Sequence, residues 1–393
     1  MVNIKKFFIT RMQTGKPAFS ATTNLRNVPH DLVNMLAYFC LRFLSWGYRS
    51  IVQLRVQCYR HGIFKQARLP CPVISVGNLT TGGTGKTPAV IEIARILRRR
   101  HKRVAILTRG YHRQTSVPNI VVQPDSDVHL VGDEPLLMLR TLAGQDASPG
   151  ASDIAVIVGS NRYQSGQIAL DQFRADVMVL DDGFQHLQLA RTFDLVLIDA
   201  TNPFGGNQLL PAGFLREPLP HLTRAHAFLI TRSDEVQELT PIIDTLRAIA
   251  PNVPIFRAVH AYETIRELGS DTMIPPDRLA SERLLAVSGL GNPDSFRRVL
   301  QQHHIQVEKH LDFPDHHWYT ANDLGHICRI LTEQRLAAVI TTEKDEVKFL
   351  PYRQQFTKPC YVMTIRMNIQ PEQMFEAALL GSLPQPSSWV ADN

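Results

Sequence analysis

Val73-Ile-Ser-Val-Gly-Asn-Leu-Thr-Thr-Gly-Gly-Thr-Gly-Lys-Thr-Pro88 is the stretch from which the rest of the chain can be read. An apolar run, Val73 to Val76, ends in a glycine-rich turn that closes on Gly85-Lys86-Thr87 and passes straight into a helical pattern. Strand, glycine loop and helix in that order make a phosphate-binding loop. Loop N–H groups and the positive end of the helix then face one spot, where polyphosphate charge is stabilised. Thr80, Thr81, Gly82, Gly83, Thr84, Gly85, Lys86 and Thr87 are the expected nucleotide contacts. Lys86 would reach the β- and γ-phosphates, and the Thr87 hydroxyl would sit on Mg²⁺. Pro88 suits the first helical turn, where its missing N–H has no partner to lose. Thr80 stands where a glycine usually opens such a loop, so Gly82 and Gly83 are expected to supply the positive-φ positions.

With 393 residues, 44% of them hydrophobic and 20% charged, the chain has room for two or three globular domains. Its net charge of +6 is unevenly spread. Residues 1–70 hold eleven Lys/Arg against one acid, Asp31, while the remainder is net negative. The five cysteines, Cys40, Cys58, Cys71, Cys328 and Cys360, show no paired spacing. That argues against a disulfide framework or a thiolate zinc site and for a reducing compartment. The basic first residues are not followed by a compact apolar segment with a small-residue cleavage site, so no cleavable signal peptide is expected. Leu32 to Leu41 already contains Asn34 and is half the length of about 20 residues needed to span a bilayer, so no transmembrane helix is expected either.

Residues 1–29 read as a mobile basic arm, with Lys5, Lys6, Arg11, Lys16 and Arg26 among Gly, Pro, Ser and Thr. Over residues 30–66 a helical period appears in Leu32, Met35, Leu36, Phe39, Phe43, Trp46, Ile51 and Leu54. Asp31, Arg42, Arg49, Gln53 and Arg60 fall on another face. Two readings are open: an interfacial membrane helix, or a helix packed on the catalytic domain with a solvated basic face. The local positive charge favours the membrane surface, where each Lys/Arg contributes on the order of 1 kcal/mol.

Beyond it lie continuous apolar runs, as buried parallel strands require: Val73–Val76, Val104–Leu107, Ile154–Val158, Val177–Leu180, Leu195–Ile198 and Phe228–Ile230. Helical patterns separate several of them, beginning with Ala89–Arg100. The basic run Arg98 to Arg103 complements that helix's dipole rather than marking a nucleic-acid site. The expected fold is α/β, a P-loop NTPase-type doubly wound parallel sheet over residues 67–250. Pro241, Pro251 and Pro254 suggest a boundary, followed at 251–393 by a smaller α/β domain with Leu284–Val287, helices from about Asp294 and from Ala321, and Ala337–Ile340. The tail after about Pro384 reads as disordered.

Val177-Met-Val-Leu-Asp181 is an apolar strand ending in a carboxylate, followed by Asp182-Gly-Phe-Gln-His186. A carboxylate leaving a central strand beside a phosphate loop holds the Mg²⁺ shell, which makes Asp181 and Asp182 metal candidates. Val131-Gly-Asp133-Glu134-Pro135 opens a helical run, where acids also serve as ordinary N-terminal charges. Phe313-Pro-Asp315-His316-His317-Trp-Tyr319 packs a carboxylate, two imidazoles and two aromatics into one loop. The histidines His303, His304, His310, His316 and His317 lack a convincing zinc pattern, and a catalytic or capping histidine suits the loop better. Arg109 in Thr108-Arg-Gly-Tyr111 and Arg216 in Pro211-Ala-Gly-Phe-Leu-Arg-Glu-Pro218 are open as phosphate clamps or surface arginines. Thr231-Arg-Ser-Asp234 faintly echoes a guanine-reading loop.

Taken together, these segments resemble the tetraacyldisaccharide 4′-kinase (lipid A 4′-kinase) family. The motifs run in the family's order from about residue 70 to 350, and Thr341-Thr-Glu-Lys-Asp345 completes them. The resemblance implies an ATP/Mg²⁺-dependent kinase that phosphorylates the 4′-hydroxyl of a glucosamine disaccharide lipid A precursor. It implies peripheral attachment to the cytoplasmic face of the inner membrane through the N-terminal helix. It suggests Asp133 and His316 as the carboxylate–imidazole pair activating the sugar hydroxyl, Asp181 and Asp182 near Mg²⁺, and Arg216 near the transferred phosphate. On the sequence order Asp133 falls in the first domain and His316 in the second, so domain closure is expected to form the pair. Without the resemblance, a soluble P-loop kinase of small sugars and a nucleotide-switch or metallochaperone-like NTPase stay open.

Overall fold

The computed structural model describes residues 28–111, 113, 115, 117–143, 153–270 and 272–383. The basic arm falls almost wholly outside this range, as does the C-terminal tail. In chain order the strands are β1 (Val73–Asn78), β2 (Val104–Thr108), β3 (Asn119–Val121), β4 (Ile154–Gly159), β5 (Val177–Asp181), β6 (Phe193–Asp199), β7 (Ala227–Thr231), β8 (Ile255–Glu267), β9 (Leu284–Ser288), β10 (Val307–Asp312), β11 (Ala338–Thr342) and β12 (Cys360–Gln370). Helix α1 spans Val28–Arg60, α2 Lys86–Arg99, α3 Asp133–Ala143, α4 Thr240–Ile249 and α5 Glu343–Phe349. Every strand anticipated from an apolar run is present, one to three residues longer.

The chain divides into two compact units that interleave in sequence. The first takes residues up to Lys86, Asp182–Val259 and the residues from Ile369; the second takes Thr87–Asp181 and His260–Asn368. In the first unit β6 lies between β1 and β7, and β7 pairs with β8, all parallel. Its core joins Leu79, Phe184, Val196, Ile198, Phe228 and Ile230 to Ile242 and Leu246 of α4. Of the stretch around residues 240–254, Thr240–Ile249 is helix, and the division into units falls between Val259 and His260. Pro241 lies in the first turn of α4, where no backbone donor is needed, and the helix buries an apolar face.

In the second unit β2 lies between β4 and β5, parallel to both, while β3 runs antiparallel to β4. A further parallel set places β9 between β10 and β11, and β11 against β12. The strands β1, β2, β4, β5, β6 and β7 are buried along their whole length, which is why their sequences are unbroken apolar runs rather than alternating ones.

Helix α1 is built on the first unit by its polar groups. Ser45 Oγ donates to the Leu209 carbonyl at 2.9 Å and accepts the Ala212 N–H at 3.0 Å. Tyr48 and Arg55 donate to the carbonyls of Arg216 and Gln185. Phe39, Phe43, Leu44, Trp46, Ile51 and Leu54 are all exposed. Among the described residues no helix is long and apolar enough to cross a membrane.

Candidate active site

The first unit carries the phosphate loop. β1 delivers Asn78 into its base, where the side-chain amide donates to the Thr80 carbonyl at 2.7 Å and to Thr84 Oγ1 at 2.9 Å. Thr231 Oγ1 donates to the Thr84 carbonyl at 2.9 Å. Arg232 pairs with Asp199 and donates to the Gly83 carbonyl at 2.7 Å. The echo of a guanine-reading loop is thus a brace behind the phosphate loop, with Arg232 committed to it. Gly82 and Gly85 hold positive φ, +118° and +86°; Gly83, expected in that role, does not. Thr80 is buried with its methyl beside Gly205, so the threonine is a packing residue where other loops use glycine.

Lys86 opens α2, and its Nζ lies 3.7 Å from Asp182 Oδ1 and 3.5 Å from Asn78 Oδ1. Asp182 adopts a left-handed backbone, φ +50°, as the chain turns out of β5. Its carboxylate accepts from Arg216 Nη1, at 2.9 Å on Oδ1 and 2.8 Å on Oδ2, and the same nitrogen reaches Gln185 Oε1 at 3.3 Å. Glu217, next in the chain, is buried. Burial alone would raise its carboxyl, but the His221 hydrogen bond and the Arg224 charge more than reverse that and hold it low.

The second unit carries the carboxylate–imidazole pair. His316 Nδ1 lies 3.0 Å from Asp133 Oδ2 and 3.2 Å from Oδ1. Both partners belong to this one unit. The pair therefore forms without closure of one unit on the other, contrary to the expectation drawn from sequence order. Asp133 is 4% exposed at the start of α3, and its Oδ1 also accepts the Glu134 N–H at 3.0 Å. The N-terminal role and the pairing role are held by the same carboxylate. Burial alone would raise the Asp133 carboxyl; the hydrogen bond and charge of His316, with Lys348 and Lys344, hold it well below the usual range. The same hydrogen bond raises His316 above an ordinary imidazole, against burial and the Lys344 ammonium. His316 has φ +59°, a conformation that costs a non-glycine residue free energy and is found where a loop must aim a side chain.

His317 does structural work. Its Nε2 lies 3.1 Å from Asp323 Oδ2, the residue that closes a capping box with Thr320, and its ring stacks on Phe313 at 4.7 Å. Asp181 ends β5 at 5% exposure, with Thr108 Oγ1 donating to its Oδ2 at 2.8 Å. The Asp181 carboxylate and the Thr87 hydroxyl, both in the second unit, are hard oxygen donors of the kind Mg²⁺ takes. Sequence reasoning passed over Asn78, Lys344 and Lys348. The two lysines sit one helical turn apart on α5; Lys344 lies within the Thr341-Thr-Glu-Lys-Asp345 motif, while Lys348 lies outside it.

Residues 37–384 match the LpxK family, tetraacyldisaccharide-1-P 4′-kinase. The chain belongs to the tetraacyldisaccharide 4′-kinase family. It is 36% identical to the tetraacyldisaccharide 4′-kinase of Syntrophus aciditrophicus, over 86% of this chain and 91% of that one. It is 37% identical to that of Halothermothrix orenii, over 83% and 86%. The solved structure of LpxK from Aquifex aeolicus in complex with ATP superposes with a TM-score of 0.67 at 30% identity, covering 87% of this chain and 98% of that one. The reading of the sequence as a lipid A 4′-kinase on a P-loop α/β fold is borne out, and the reading as a nucleotide switch falls away.

Proposed function

We propose that this chain transfers the γ-phosphoryl group of ATP to the 4′-hydroxyl of a tetraacyl glucosamine disaccharide 1-phosphate, giving lipid IV-A. The loop from Thr80 to Thr87 and the Lys86 ammonium bind the donor's phosphates. His316, with Nδ1–H donated to Asp133, accepts the hydroxyl proton on Nε2. The hydroxyl oxygen forms its bond to the γ-phosphorus as the bridge to the β-phosphate breaks, and ADP leaves. Arg216, which Asp182 and Gln185 hold in place, offsets charge on the transferring group. Mg²⁺, held by Thr87 and Asp181 with Asp182 near it, would neutralise charge on the β- and γ-phosphates when bound.

The observation that carries this reading is the Asp133–His316 hydrogen bond at 3.0 Å. A sugar hydroxyl is a poor nucleophile at neutral pH, and an oriented imidazole is what a kinase of hydroxyls needs. The acceptor lies in a membrane, and α1 offers the matching surface: polar groups spent on the protein, large apolar side chains left outward, arginines along the flank. We assign the chain to the cytoplasmic face of the inner membrane on that basis. Transfer of labelled γ-phosphate from ATP to the disaccharide lipid is the test. Wild type should transfer and Lys86→Ala should not; a wild type unable to phosphorylate the lipid overturns the reading.

A further inference from the structure

The Asp133–His316 pair is backed by a buried lysine. Lys348 is 2% exposed, and its Nζ lies 3.5 Å from Asp133 Oδ2 and 3.2 Å from Asp345 Oδ1, with the Tyr319 ring centroid at 5.7 Å. Asp345 is fully buried and pinned on three sides. The Tyr319 hydroxyl donates to its Oδ1 at 3.1 Å, and Thr342 Oγ1 and the Gly289 N–H donate to Oδ2 at 2.8 and 3.0 Å. A buried ammonium is stable only when paired, and Asp345 alone would pair it. The second carboxylate it faces is the one that orients His316.

We propose that Lys348 is a positioning residue of the general base: anchored on Asp345, it fixes the Asp133 carboxylate and offsets its charge. The inference rests on the reading of Asp133–His316 as that base. The charges around the pair come from several elements. His316 Nε2 is 3.5 Å from Lys344 Nζ and 3.9 Å from both Glu134 Oε1 and Asp315 Oδ2, and the Tyr111 ring centroid is 6.0 Å from its ring. Behind them, Asp133, Asp345 and Lys348 together carry a single negative charge. When His316 takes the substrate proton, the four groups together become neutral. Without Lys348 the set would carry two negative charges and hold the proton on His316 too tightly for it to act as a base.

The test compares wild type, Lys348→Met, Asp345→Asn, the double variant and His316→Gln, each as the full chain. Rates are read against pH, with kcat and KM for ATP separated, and the His316 imidazole is titrated by NMR with isotope-labelled histidine. Lys348→Met should move the acid limb and the NMR titration upward by about one pH unit, the size of effect a nearby charge produces. On the acid side of the limb the rate should fall about tenfold, as one unit implies, with KM for ATP unchanged. Asp345→Asn should move both downward, and the double variant, which restores the charge, should return toward wild type. A residue that only fills space would lower stability without moving the titration. If Lys348→Met fails to fold, the downward shift in Asp345→Asn carries the test. Titrations unmoved in the folded variants overturn the inference; full activity in His316→Gln overturns instead the reading beneath it.

Discussion

The Tyr48 hydroxyl donates to the backbone carbonyl oxygen of Arg216 at 2.9 Å. The bond joins α1, the helix proposed to meet the membrane, to the loop that carries the arginine assigned to the transferring phosphate. Burial, together with the Glu217 charge, raises the Tyr48 phenol, which keeps it a donor at any working pH. Tyr48→Phe preserves the packing and strips the donor from a half-buried carbonyl. It should cost about 1 kcal/mol, read as a lower midpoint in urea unfolding. An unchanged midpoint would show that the contact adds nothing.

His316→Gln removes the proposed base but leaves a side chain of similar reach. The rate of phosphoryl transfer should fall by roughly 10²–10⁴, with KM for ATP close to wild type, because the donor's loop is untouched. Wild-type activity should rise with pH through the His316 titration, since the base works only when neutral. The hydrogen bond to Asp133 raises that titration, so the limb should lie above about pH 6.5, the unperturbed value. A profile flat from pH 5 to pH 8 would contradict it.

The same pair makes a prediction for stability. Asp133 is lowered in the fold, so its contribution is present above its unfolded value and is lost as pH falls through the folded one. His316 is raised, so its contribution is full below its unfolded value and is lost as pH rises through the folded one. Both hold between about pH 4 and 6.5. The stability lost in His316→Gln should be greatest in that window and smaller at pH 9. Denaturant titrations across pH would show it; a loss independent of pH would mean the pair is only packed.

Phe43 and Trp46 are 73% and 67% exposed on α1. The double substitution Phe43→Glu, Trp46→Glu touches no partner of Ser45 or Tyr48 and should leave unfolding within about 0.5 kcal/mol of wild type. Sedimentation with anionic vesicles should drop sharply, because burial of each large side chain contributes about 1.5–3 kcal/mol. Undiminished sedimentation would move the membrane contact elsewhere.

Gly77 lies in β1 just before the loop. A Cβ there would sit 2.6 Å from both the Cβ and the backbone nitrogen of Phe184. Backbone cannot swing aside as a side-chain tip does. Gly77→Ala should therefore destabilise by about 1–3 kcal/mol and weaken ATP binding through the strand that aims the loop. Isothermal titration with ATP checks the second effect.

The buried strands were readable because burial on both faces leaves only apolar residues to place. β8 and β10 were missed for the converse reason. β8 reads Ile-Phe-Arg-Ala-Val-His-Ala-Tyr-Glu-Thr-Ile-Arg-Glu and is only half-buried over most of its length. Its charges point to partners that local sequence does not reveal. The phosphate loop was legible because its chemistry is contiguous, although Gly85 rather than Gly83 takes the second left-handed position. The base was not legible in that way. Asp133 and His316 stand 183 residues apart, and family resemblance rather than spacing joined them. The interleaving of the two units is why sequence order misplaced their meeting. Lys348 carried no mark at all, since a lysine in a short helix reads as a solvated one.

A kinase seated on a membrane as proposed for α1 would meet its acceptor in two dimensions. What sets its rate is then the mole fraction of disaccharide lipid in the surface, not its concentration in the bulk. Dilution of acceptor with inert lipid at constant total acceptor should slow the enzyme, while dilution of the whole suspension should slow it far less. Because Ser45 and Tyr48 fasten that helix to the loops at Leu209 and Arg216, the depth proposed for it in the bilayer would also set the height of the loop that carries Arg216.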